Sequence, residues 1–303
     1  MDAWCLLAAI RWDVSPTLVD LGGFELRWYG LMFALAFLLG HLVLRRVYRT
    51  EGRPETEIDR ITLAIIVAVI VGARLAHCLF YDPAYYFLDY FEQYRAHAEG
   101  FRGRPDAPSS WAEALGRTVL RVINLREGGL ASHGAAAGIL IAMAWLVRRL
   151  PQMTFLWLAD RLVLTIPLGG ALVRLGNLFN SEICGLPTAL PWAFEFVRGG
   201  SDCGGGPRHP TQVYEAMFYV ALFGVLWAVY RRFQRQTPAG LLLGLLMFLL
   251  FAGRFLIEFL KVNQEEYQLG LPLNMGQLLS LPFIVAGAWL AWRAWRNRPP
   301  AEP

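Results

Sequence analysis

Two arginines stand inside otherwise apolar stretches, each with polar groups that could help it hold an anion. Arg174 lies in RLGNLFNSE, where Arg174, Asn177 and Asn180 recur at i, i+3 and i+6 and Glu182 follows. On a helix this spacing brings the three side chains to one face. Arg254 lies in GRFLIEF, four residues before Glu258, a spacing that makes neighbours on a helix surface. A charge at bilayer depth costs about 3 kcal/mol or more, so such residues face a cavity or a partner. Guanidinium forks match phosphate oxygens in two places at once. His133 opens a further apolar block in GGLASHG, and an imidazole titrating near neutrality can take a proton from a nucleophile. These types and spacings predict a phosphate-holding cavity in the outer half of a bilayer, where a lipid headgroup is the phosphate at hand.

Each residue also has a plainer reading. Arg254 and Glu258 would form a structural ion pair, and Arg74, near His77 in the second apolar block, would snorkel to headgroups. His133 would be an interfacial histidine, and Asp160 and Arg161 would pair near the inner surface. The group of Arg174, Asn177, Asn180 and Glu182, with Gly170 and Gly176 beside it, has no comparable packing explanation. The four cysteines show no metal-ligand spacing, and neither metal nor cofactor is expected. Cys5 and Cys78 read as small buried side chains. Cys184 and Cys203 share one predicted extracytoplasmic segment, where an oxidising compartment would permit a disulfide.

The elements that must position these groups follow from composition. Of 303 residues, 56% are hydrophobic and 17% charged, against about 25% charged in soluble domains. The mean hydropathy is +0.39. Apolar blocks fall at roughly 26–46, 60–81, 129–147, 154–178, 211–230, 239–260 and 273–292, each near the length of about 20 residues that spans a bilayer as a helix. Block four contains Pro167, a predicted kink. Arginines follow blocks one, three, five and seven, placing the N-terminus outside and the C-terminus inside. The loop at 82–128 runs against that alternation with six arginines on the predicted outer side. The net charge of +4 sits on these flanks and suits anionic headgroups rather than nucleic acid. The expected architecture is an all-α polytopic membrane protein of seven transmembrane helices with a small extracytoplasmic head. A single integral membrane domain is expected over 1–298, with extracytoplasmic segments at about 82–128 and 180–210 and a tail at 299–303. The first residues read as an interfacial segment rather than a signal peptide.

The motifs, taken in order, resemble the prolipoprotein diacylglyceryl transferase family. RLGNLFNSEICGLPT at 174–188 is similar to the family's signature segment. RWYG at 27–30, GARLAHCLFYDP at 72–83, GGLASHG at 128–134, RHPTQVYEA at 208–216, GRFLIEFLK at 253–261 and MGQLLSLP at 275–282 match in sequence. The resemblance implies an enzyme of the bacterial inner membrane that moves diacylglyceryl from phosphatidylglycerol to the lipobox cysteine of a prolipoprotein. It also implies that Arg174 and Arg254 hold the lipid phosphate and that Asn177, Asn180, Glu182 and Gly185 shape the headgroup site. Glu258 would orient Arg254, Tyr29 would line the cavity, and His133 would be the base for the incoming thiol. The chain departs from the family at Val173 and Ser181, where glycine is usual, at Leu250 in place of a tyrosine, and at Lys261 in place of a frequent arginine. A transporter of an anionic or phosphorylated solute would also use intramembrane arginines, but transporters commonly show paired half-repeats, and no internal repeat is visible. A lipid hydrolase would be expected to show a G-x-S-x-G, and none is present.

Overall fold

The computed structural model describes residues 9–23, 25–98, 107–124, 129, 131–150, 152–262 and 273–298. Cys5 and the tail at 299–303 lie outside them, as does most of the glycine- and proline-containing break at 100–108. The chain forms two compact units, Met1–Ile58 with Leu156–Pro303, and Asp59–Phe155.

In the first unit, β1 (Ile10–Trp12), β2 (Thr17–Asp20) and β3 (Glu25–Arg27) precede α1 (Trp28–Glu51). The unit resumes with α6 (Phe155–Leu162), α7 (Ile166–Phe179), β4 (Phe194–Phe196), the short α8 (Gly200–Cys203), α9 (Thr211–Phe233), α10 (Leu241–Ile257) and α11 (Met275–Arg296). Helix α7 packs on α1 and on α9, α9 on α10, and α10 on α11. Glycine lets the last pair close. A Cβ at Gly244 would stand 2.5 Å from the Ala291 amide nitrogen, and one at Gly287 2.5 Å from that of Phe248, the close backbone approach that small residues permit between membrane helices. Asn274 and Gln277 form a reciprocal capping box that starts α11.

The chain is mostly helical but not all-α. β1 pairs in parallel with β4, and β2 pairs antiparallel with β3. These three- and four-residue strands are too short to leave a hydropathy signal. Among the described residues five helices are long and apolar enough to cross a membrane, namely α1, α2 (Thr56–Phe80), α9, α10 with the turn that follows it, and α11, and the pair α6–α7 counts as a sixth if it crosses as one bent span. That pair bends by 42°. The bend precedes Pro167, which sits in the first turn of α7, where its missing N–H costs nothing. Outward side chains such as Leu42, Val220 and Val285 stay exposed along these helices, as lipid-facing surface requires.

Arg161 and Asp160 do not pair with each other. Neighbours in a helix point in different directions, and each finds its own partner. Arg161 meets Glu51 at 3.0 Å, with side chains only 1% and 2% exposed, and its guanidinium also lies over the Trp157 ring. Asp160 accepts from the Gly240 and Leu243 amides at 2.6 and 2.9 Å, which caps the start of α10. Tyr230, near the end of α9, donates to the Val47 carbonyl. One end of the bundle is thereby tied by buried polar contacts.

The second unit holds most of α2, a π-helical turn (Ala84–Leu88), α3 (Asp89–Ala98), α4 (Trp111–Ile123) and α5 (Ser132–Arg149). The two surface helices expected between 82 and 128 are present as α3 and α4. A Cβ at Gly72 would strike the Gly134 carbonyl, and one at Gly138 the Ala68 carbonyl, so α2 and α5 cross in close contact. Arg74 does not snorkel. It is buried and donates to the carbonyls of Arg121, Val122, Asn124 and Gly129, which would otherwise be orphaned past the end of α4.

Removing one partner of a buried ion pair leaves an uncompensated charge, at a cost of about 3–5 kcal/mol. Glu51→Ala is expected to lower unfolding stability in detergent by that order, and replacing Glu51 and Arg161 together with apolar residues to recover most of it. Thermal or denaturant unfolding followed by circular dichroism checks both.

Candidate active site

The polar residues at the other end of the first unit converge. α7 ends with Arg174 and Asn177 on one face, and Asn180 caps it. Arg174 Nη1 donates to Asn177 Oδ1 at 3.2 Å. Asn177 and Asn180 both donate to Glu182 Oε1, at 2.7 and 3.2 Å. The i, i+3, i+6 spacing thus forms one connected group, closed by the carboxylate that follows it. Tyr29, in the first turn of α1, lays its ring on Gly176, where a Cβ would stand 2.8 Å from the ring. It also lies within electrostatic reach of Glu182 and Arg174.

Three residues given no site role on the sequence, Glu215, Lys261 and Tyr219, complete the arrangement. Glu215, on the first turns of α9, is 2% exposed. Its Oε2 lies 2.9 Å from Arg174 Nε but has no hydrogen bond among the described residues, so the contact is an ion pair. Its Oε1 accepts from Lys261 Nζ at 2.8 Å. The signal was a carboxylate inside the fifth apolar block, read only as part of RHPTQVYEA. Tyr219, one turn further along α9, lies within electrostatic reach of both Arg174 and Arg254.

Arg254 and Glu258 do not pair. After Ile257 the α-helix tightens into a 3₁₀ turn over Glu258–Leu260, and Glu258 lies 3.8 Å from Lys261. Arg254 is exposed and meets no carboxylate among the described residues. The cluster holds Arg174, Arg254 and Lys261 against Glu182, Glu215 and Glu258, so it is formally balanced. Its capacity for an anion rests on arrangement, with Arg254 left outside the ion pairs and Arg174 keeping N–H groups to spare.

Gly185 sits where three motif segments meet. A Cβ there would lie 2.6 Å from His209 Cβ and 2.7 Å from both the Leu260 carbonyl and a Thr211 methyl. Its amide donates to His209 and the next amide to Leu260. Gly185 therefore joins the segments rather than presenting a polar group. The loop before it is strained and pinned. Ser181 and Ile183 adopt φ of 54° and 59°, a region side chains other than glycine avoid. Gln212 donates to the Glu182 carbonyl at 2.6 Å and Thr211 to that of Ile183 at 3.0 Å, and Cys184 is disulfide-bonded to Cys203. Trp12 donates to the Leu178 carbonyl and packs on the cluster of Leu178, Cys184, Phe196 and Cys203.

His133 belongs to the second unit, at the second residue of α5 and exposed. His77 is stacked with Tyr81 there. Among the described residues no group of three metal-ligating side chains occurs.

Ser181 takes the left-handed conformation where the resemblance leads one to expect glycine, at a cost of about 1–2 kcal/mol. Glycine's greater freedom in the unfolded chain offsets part of this. Ser181→Gly is therefore expected to stabilise the protein by about 0.5–1 kcal/mol, read as a higher unfolding midpoint.

The sequence profile described as prolipoprotein diacylglyceryl transferase matches residues 16–293. The chain is 39% identical over 285 residues to a protein of Chloroherpeton thalassium, covering 94% of each. It is 40% identical over 276 residues to one from Tolumonas auensis, covering 91% of this chain and 94% of that one. With a Porphyromonas gingivalis protein it shares 39% over 306 residues, covering 96% and 97%. All three are named phosphatidylglycerol–prolipoprotein diacylglyceryl transferase.

Proposed function

The chain belongs to the prolipoprotein diacylglyceryl transferase family, and from that premise we propose that its residues carry out the transfer named for its relatives. The enzyme moves the sn-1,2-diacylglyceryl group of phosphatidylglycerol to the lipobox cysteine of a prolipoprotein. The thiolate attacks the glyceryl carbon bearing the phosphate, a C–S bond forms as the C–O bond breaks, and glycerol 1-phosphate leaves. Supporting this reading is a match spanning nearly the whole chain, together with a buried carboxylate, Glu215, that holds Arg174 beside Lys261. An anionic amphiphile in place of a small solute also suits a cluster at one end of the bundle, unlike the midplane site of a transporter.

In this reading Arg174 and Arg254 grip the phosphate and neutralise the charge that grows on it as the bond breaks. Glu215 and Lys261 set the position of Arg174. Asn177, Asn180, Glu182 and Tyr29 border the headgroup, and Glu258 steadies Lys261 on the far side. His133 takes the thiol proton, since a cysteine with a pKa near about 8.5 is mostly protonated at neutral pH. The protein nucleophile is the substrate's, and the chain needs none of its own.

Residues 1–298 act as one integral membrane domain of the bacterial inner membrane. Seven crossings result if α5 and the bent α6–α7 pair each cross once beside the five long helices. The arginines after α1, α5, α9 and α11 then face the cytoplasm with the C-terminus, and the site, the N-terminus and the head at 180–210 face outward.

Purified protein incubated with labelled phosphatidylglycerol and a lipobox peptide is expected to place label on the peptide cysteine. A Cys→Ser peptide stays unlabelled, and Arg174→Ala lowers the rate by about 10²–10³-fold, the loss typical of removing one transition-state donor, while circular dichroism shows the helical fold retained at a lower unfolding midpoint because Glu215 loses a buried partner. Transfer to the serine peptide, or full activity in the arginine variant, would overturn the assignment.

A further inference from the structure

The arginine-rich end of the first unit carries positive groups of two kinds. Arg45 and Arg49 share Glu55, Arg53 meets Glu57, and Arg161 meets Glu51. Arg232, Arg235, Arg293 and Arg298 meet no carboxylate among the described residues. These four line two adjoining clefts between α9, α10 and α11. The larger, of about 970 Å³, is walled by carbon from Leu241, Leu245 and Trp292 and flanked by Arg232 and Arg298. The smaller, of about 450 Å³, carries Arg235 and Arg293 with Asn297, and both share Gln236 and Pro238. Among the described residues no Asp or Glu lines either cleft.

Arginines beside membrane helices follow from orientation alone, so charge by itself decides nothing. The shape around it does. Arg298 is held over the Trp295 ring at 4.3 Å, and Phe233 meets the same indole edge-on at 6.0 Å. Indoles near the ends of membrane helices sit where headgroup meets acyl chain. An apolar wall running into a pair of unpaired guanidinium groups matches a molecule with acyl chains below and a phosphate above. Basic pockets between helices recognise anionic headgroups on this ground, and the larger cleft lies within the range of about 300–1,000 Å³ usual for ligand sites.

We propose that these joined clefts form a binding site for an anionic phospholipid of the bilayer, separate from the Arg174 cluster. Two pairs of arginines side by side favour a lipid with two phosphates over one with a single phosphate. The lipid would hold the end of α9, the start of α10 and the end of α11 together where these arginines are exposed, and it takes no part in the chemistry at the other end.

Native mass spectrometry of the detergent-purified chain, titrated with tetraoleoyl cardiolipin and separately with dioleoyl phosphatidylcholine, tests this. Neither probe is the transferred lipid. The intact protein is expected to retain cardiolipin at least about 10-fold more tightly than R232Q/R298Q, with phosphatidylcholine bound weakly and equally by both. R232K/R298K keeps the charge and is expected to retain most of the binding. Circular dichroism and unfolding midpoints confirm that each variant folds, as exposed positions lead one to expect. Transfer activity measured with saturating substrate in detergent stays within about 2-fold of the parent. Equal cardiolipin retention by R232Q/R298Q, or phosphatidylcholine held as tightly as cardiolipin, would overturn the proposal.

Discussion

One carboxylate governs the end of the bundle that carries the candidate site. Glu215 is almost wholly buried, and a buried carboxylate is tolerated only where cations and donors surround it. Arg174 and Lys261 answer that demand, one at each of its oxygens, at 2.9 and 2.8 Å. They come from separate segments, the end of α7 and the turn after α10, so Glu215 fixes the distance between segments far apart in the chain. Losing either cation would leave the buried acid with one cation in place of two. Losing the acid would free two cations to spread apart. The interaction therefore positions the guanidinium that we assign to the lipid phosphate, and the rest of the site is arranged around it.

The surrounding contacts hold that arrangement in place. The disulfide at Cys184, the Gln212 and Thr211 bonds to loop carbonyls, and the packing at Gly185 keep Glu182 in a strained backbone. Strain of this kind persists only where its surroundings over-determine it. At the opposite end the buried Glu51–Arg161 pair and the Asp160 cap fix the ends of α1, α6 and α10. A site tied at both ends of its helices can present donors in a set geometry before substrate arrives, which is where electrostatic catalysis draws its advantage.

Much of this was legible in the sequence. The apolar blocks gave the long helices because hydropathy reports length directly. The Arg174, Asn177 and Asn180 spacing gave a connected group because helical periodicity is local. What escaped was set by packing between segments. Arg254 and Glu258 have ideal spacing, yet the helix tightens at Glu258, whose carboxylate lies 3.8 Å from Lys261. Arg74 reads as a snorkelling residue, yet the carbonyls at the end of α4 claim it. Asp160 and Arg161 are neighbours in the chain with different partners in space. Glu215 was visible as an acid in an apolar block, but nothing local said which cations it would meet. The short strands left no periodic pattern at all.

The most direct measurement is a double-mutant cycle on kcat/KM for diacylglyceryl transfer, using Glu215→Gln and Arg174→Gln singly and together. If Glu215 acts by positioning Arg174, its substitution should lower kcat/KM by about 10²-fold in the parent but by less than about 3-fold once Arg174 is gone, a coupling above about 2 kcal/mol. Equal losses in both backgrounds would mean the two residues act independently, and the account of the site would be wrong.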